Sequence, residues 1–248
     1  MSTKYGALTI WSDLVSRRLA LSVLGLGAAA LGCCRSAQPD EVAASQADER
    51  IVQAVSISLK SVHEIERIEA VRRIAAECMG EDLFGPGVFH ALGITGGARR
   101  WGEHSRSRFT ALMPMLKAAS QDKSRDVREQ VAVVLMYVGE MGLADGLEEP
   151  RGDAVEVLWK LAGDDDPRVS LWSARALYCM GVKGPAVVFV SVRLLEHPSS
   201  EVRAMAVYNL NIMGRDAAEA VPEIAKRVFD SDERVRIQAR QALRQVKP

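Results

Sequence analysis

The chain has 248 residues, with 32 cationic and 32 anionic side chains, 48% hydrophobic and 5% aromatic content. That composition is ordinary for a helical globular protein with a core of Ala, Val and Leu, and no strand-like alternation competes with it. Setting aside the first 33 residues, which hold Lys4, Arg17, Arg18 and Asp13, leaves a slight acidic excess; this argues against a nucleic-acid binder, which needs a basic face and a high pI.

Residues 1–34 differ in kind from the rest. The pair Arg17-Arg18 precedes an apolar run of 16 residues, Leu19 to Cys34, rich in Gly and Ala. This is shorter than the roughly 20 residues of a spanning helix and suits the core of an export signal. Ser16-Arg17-Arg18-Leu19-Ala20-Leu21 resembles the twin-arginine export motif, with Ala20 in place of the usual bulky residue. Leu31-Gly32-Cys33-Cys34 resembles the lipobox of bacterial lipoproteins, in which the cysteine after the cleavage point receives the lipid. Cys33 and Cys34 are therefore the two candidates for lipidation, and a plain cleaved signal or an uncleaved anchor are the alternatives. The resemblance implies an exported chain, lipid-anchored on the periplasmic side of a bacterial membrane. Residues 35–48 are polar, contain Pro39, and read as a flexible tether.

From residue 49 the chain repeats. Five copies begin near residues 49, 105, 152, 184 and 217. The second helix of each is marked by valines: Val71, Val127, Val169, Val202 and Val235, at steps of 56, 42, 33 and 33. The columns 4, 8 and 11 positions after the valine are apolar, apart from Ser173 in copy three and the last column of copy one, and mark one stripe of a 3.6-residue helix. Gly139, Gly181 and Gly214 close copies two to four, while Gly80 comes three residues early in copy one. A first helix precedes each of the later ones, with Val155, Val188 and Val221 in one column and Pro222 in a harmless first-turn position. The steps of 56 and 42 imply 23 and nine residues beyond the basic 33. The 23 fall within 80–104, a Gly-rich insertion ending in Arg99-Arg100-Trp101. It lacks the GK[ST] of a phosphate loop; it reads as either a spacer or, through Arg99, Arg100 and Trp101, a partner-binding loop.

Helical pairs that cannot bury a core singly bury a continuous one when stacked, so residues 49–248 read as an all-α solenoid of about five hairpins. The pattern of valine-arginine, Ala/Val pairs, a leucine and a closing glycine resembles the HEAT family, in particular its short phycobilisome-lyase-type variant. That resemblance implies a binding surface on the concave side, lined by second helices. Trp172, Tyr178, Met205 and Tyr208 fall there, either as a groove for a peptide, with Trp172 and Tyr208 as its contacts, or as packing between repeats. In HEAT repeats the arginine after the valine commonly pairs with an acid in the preceding turn. Here the arginines are Arg72, Arg128, Arg203 and Arg236, with Ser170 as the exception, and the acids are Asp126, Glu201 and Asp232. A ligand-binding strip is the other reading of this arginine column.

Chemistry is sparse. Deoxyhypusine hydroxylase, a HEAT-type enzyme, uses His-Glu pairs on successive repeats to hold iron; here only His63-Glu64 occurs, so no metal or cofactor site is expected and no catalytic residue is assigned. Cys78 and Cys179 lie two copies apart, about 20 Å along the stack, too far for a disulfide, and read as small buried apolar groups. The expectation is a non-enzymatic scaffold of the cell envelope that binds a protein or peptide, with a HEAT-type enzyme or enzyme subunit of phycobilin-lyase type as the alternative. Val228, Leu243 and Val246 at an uncapped last copy suggest an apolar end for a homodimer.

Overall fold

The computed structural model describes residues 39–79, 103–142 and 144–246. Residues 43–248 belong to one compact unit. Arg17, Arg18, Cys33, Cys34 and the run Arg99-Arg100-Trp101 lie outside the described residues. Every regular element among the described residues is helical: α1 (Pro39–Leu59), α2 (Glu64–Met79), α3 (Glu103–Ala119), α4 (Arg125–Glu140), α5 (Glu148–Ala162), α6 (Pro167–Cys179), α7 (Pro185–Val192), α8 (Ser200–Met213), α9 (Val221–Lys226) and α10 (Glu233–Gln245). Short 3-10 turns, Gly214–Ala220 and Arg227–Phe229, flank α9. The first helix of the fifth copy is therefore brief, with Pro222 in its first turn as expected.

The second helices form one continuous row, α2 on α4, α4 on α6, α6 on α8 and α8 on α10. The first helices cover it, α3 beside α5 and α7 beside the 3-10 turn before α9. Val127, Val169 and Val235 have no exposed surface and Val202 only 5%. Helix α4 is buried nearly all round, from Val127 to Val138, because α2 and α6 flank it on opposite sides. The polar turns start each second helix: the side chains of Ser124, Asp166 and Asp232 accept from the amides two and three residues ahead, closing helix ends that would otherwise leave donors unpaired.

Three expectations are corrected. First, the tether does not extend to residue 48. Helix α1 begins at Pro39, inside the segment read from the sequence as a tether. Second, Arg67 rather than Arg72 is the copy-one counterpart of Arg128. Its Nη1 donates to the carbonyls five and six residues back, Val62 and Ser61, as Arg128, Arg203 and Arg236 do in their own turns. Arg72 is exposed and donates to Gln130. Third, the last copy does not leave Val228, Leu243 and Val246 open: Val246 is fully buried and the other two pack half-buried on the core.

Candidate partner-binding surface

The arginine column is structural, and its acids differ from those the sequence suggested. Arg67 donates from Nε and Nη2 to both carboxylate oxygens of Asp122 (2.7 and 3.1 Å), Arg128 likewise to Asp164 (2.6 and 2.9 Å), and Arg203 to Asp230 (2.9 and 2.7 Å). Each acid sits in the turn of the following copy, so each pair ties neighbouring copies together. Asp126, Glu201 and Asp232 lie on the wrong side of the arginine: Asp232 caps α10, while Asp126 and Glu201 meet Arg125 and Arg168. Burial opposes ionisation of Asp122 and Asp164, but the arginines together with the backbone amides of Ser124 and Asp166 outweigh it and hold both below the ordinary carboxylate range. For Asp230 the Arg203 hydrogen bonds are the largest influence, in the same direction. With their donors satisfied, these arginines are not a free anion-binding strip.

The second-helix row carries a different cluster on α4, α6 and α8. The Arg175 guanidinium lies 5.6 Å from the Trp172 ring centroid and 5.5 Å from that of Tyr208, so one cation is held between two aromatic faces. Its Nη2 donates to Glu140 Oε1 at 2.8 Å. Trp172 Nε1 and Arg168 Nη2 both donate to Glu129 Oε1 at 3.1 Å, and Arg168 reaches Glu201 at 3.7 Å. The two expected contacts, Trp172 and Tyr208, thus meet through Arg175, and they differ in standing. Trp172 is half-buried with its indole N–H satisfied and belongs largely to the packing; Tyr208 is 43% exposed and open to a partner. Tyr178 is held by its hydroxyl, which donates to the Met213 carbonyl and Asp216, and Met205 packs half-buried on the core. Sequence reasoning missed Arg175, Glu129 and Glu140. The available signal was Arg175 itself, a cation six residues after Val169 in a column that holds Val133, Tyr208 and Gln241 in copies two, four and five.

The remaining reactive side chains are quiet. Burial pushes the Cys78 thiol up to about 12, and burial aided by Glu140 does the same for the half-buried Cys179. Neither is an available thiolate at neutral pH. Both are free cysteines. His63 is exposed.

Stacked helical hairpins tied copy to copy make the described part of this chain a helical-repeat solenoid. No protein-family model matches the sequence, and no curated protein matches it. Among solved structures it is similar to a designed armadillo repeat protein in complex with the peptide (KR)4, at 19% identity and a TM-score of 0.52, covering 84% of this chain and 85% of that one. It also matches a computationally designed armadillo repeat protein for modular peptide recognition, at 18% identity and a TM-score of 0.46, covering 85% and 95%.

Proposed function

We propose that this chain is a non-enzymatic scaffold of the bacterial cell envelope that holds a protein or peptide partner along its second-helix row. The observation that carries this reading is the cluster Trp172–Arg175–Tyr208, in which Tyr208 stays 43% exposed beside a cation held by charge-assisted contacts. Aromatic and arginine side chains of this kind dominate interface energetics. The designed armadillo protein that shares the fold was solved with a bound peptide, which is consistent with this use of a stacked-helix face. The envelope address rests on Arg17-Arg18 and on Leu31 to Cys34, with lipid carried by Cys33 or Cys34.

The test places a photo-crosslinking residue at position 208 in the native chain and analyses envelope fractions. A discrete crosslinked partner, lost when Arg175 is changed to Ala, supports the reading; adducts as diffuse as those from a distant exposed position such as Arg240 would sink it. Mass spectrometry of the mature N-terminus tests the address separately, expecting a lipidated Cys33 or Cys34.

A further inference from the structure

The first-helix layer carries a second surface, on other residues than the second-helix cluster. Helix α7, with the sequence Pro-Ala-Val-Val-Phe-Val-Ser-Val, has no charged side chain on any face. A helix that is apolar all round is normally buried. Here Val187, Val188 and Val190 are buried, yet Pro185, Ala186 and Phe189 stand exposed, Phe189 at 64%. Together with Trp159 of α5, itself 38% exposed, and Ala220, they line an open groove of about 630 Å³. Glu219 and Glu223 also line it. Glu223 is neutralised by Lys226 at 2.7 Å, whereas Glu219 is exposed and makes no ion pair or hydrogen bond with the described residues.

Shape and charge select the occupant. An anionic lipid surface or an acidic segment would meet the free Glu219 carboxylate and be repelled. A second copy in two-fold contact would set one concave groove against another and bring the two acidic rims together, leaving both unfilled. An amphipathic helix fits both features: its apolar ridge fills the groove between α5, α7 and α9, and a Lys or Arg beside that ridge meets Glu219. We propose that the groove of Trp159, Pro185 and Phe189, rimmed by Glu219, docks an amphipathic helix of a partner protein through an apolar ridge flanked by a cation.

Fluorescein-labelled helical peptides of 16 residues test this with the full-length chain. All share a leucine ridge at i, i+3, i+4 and i+7, and carry either Lys or Glu beside it. Fluorescence anisotropy should show the Lys peptide binding at least about tenfold more tightly than the Glu peptide at low salt, with the difference shrinking as salt is raised. Phe189→Ser should abolish binding, Glu219→Lys should reverse the charge preference, and Tyr208→Ala should change neither. Phe189 and Glu219 are both exposed, and circular dichroism checks that each variant stays helical. Equal binding of the two peptides, no saturable binding, or binding indifferent to both groove substitutions would overturn the proposal. So would self-association that Phe189→Ser removes, which would assign the groove to a second copy. Crosslinks from position 189 to residues 19–34 would likewise overturn it, assigning the groove to the chain's own leader. Because Tyr208 and Arg175 lie on the other layer, loss of this proposal leaves the reading of the second-helix row untouched, and the reverse holds too.

Discussion

Asp230 Oδ1 accepts the Asp232 amide that starts α10, and with Oδ2 it receives the Arg203 guanidinium from the copy before. Asp122 and Asp164 do the same for Ser124 and Asp166. In copy four the position holds His197, whose Nδ1 accepts the Ser199 amide; the turn role is kept and the arginine role is lost. The matching arginine is lost too, replaced by Ser170. Arg203 and Asp230 are buried, with side chains 10% and 3% exposed, so removing one leaves the other unpaired in a dry site. Arg203→Ala should therefore cost about 3 kcal/mol in urea denaturation, while Arg72→Ala, at an exposed position off the ladder, should stay within about 0.5 kcal/mol. The closing glycines serve two different ends. Gly181 and Gly214 have φ of 78° and 53°, a left-handed backbone that favours glycine, whereas Gly139 lies where a Cβ would come within 2.7 Å of the Cys179 backbone. Gly139→Ala should lose about 1–3 kcal/mol through overpacking. Gly152→Ala, in α5 with open space around it, should gain up to about 1 kcal/mol.

Between copies three and four the missing pair is replaced from the other layer. Arg193, just past α7, donates from Nη2 to the Ser170 hydroxyl (3.1 Å) and to the Ala162 carbonyl (2.8 Å). These are bonds from a cation to neutral acceptors, without the bidentate carboxylate that joins the other described seams, and thus weaker. In a stacked repeat protein, opening follows the weakest interface. Hydrogen exchange in mild urea at neutral pH should therefore show α7, α8 and α10 losing protection as a group while the α2–α4–α6 row stays protected. Loss in the reverse order would contradict this. The hairpins were legible in sequence because burial enforces a helical period: Val127, Val169, Val202 and Val235 all went inside. Copy one was misaligned because Ala70, Val71, Ile74, Ala75 and Cys78 are all buried, so apolar pattern admits more than one register there, and only the arginine's carbonyl contacts fix it. Ladder partners escaped the sequence reading since they pair across copies, 27 to 55 residues apart, where helical spacing carries no information. The aromatic–arginine cluster was half visible for the same reason: Trp172 and Tyr208 stand out by type, but the role of Arg175 depends on α8 lying beside α6.

Across the whole molecule the ladder makes cohesion depend on acid. Asp122, Asp164 and Asp230 have folded pKa values below the ordinary carboxylate value, so the unfolded chain binds protons more readily than the folded one. Their stabilisation is complete above the unfolded carboxylate pKa of about 4 and is lost as pH falls through the lower folded values. The seam between copies three and four has no buried bidentate rung; its titrating contact is the exposed Asp216, held below the ordinary carboxylate range by Lys183 and the Tyr178 hydroxyl, and solvent screening makes it lose less by this route. Acid therefore weakens the strong seams more than the weak one and brings them toward it. At pH 7 exchange should separate the two blocks; near pH 3, about one unit below the ordinary carboxylate pKa, total stability should fall and the separation should narrow. Asp122→Asn, which removes the titrating group from the seam between copies one and two, should reproduce at pH 7 the weakening of that seam and flatten its response to acid. A block separation that persists unchanged down to pH 3 would mean that the copies are held together by apolar packing, with the arginine–aspartate pairs setting register and contributing little to the strength of the stack.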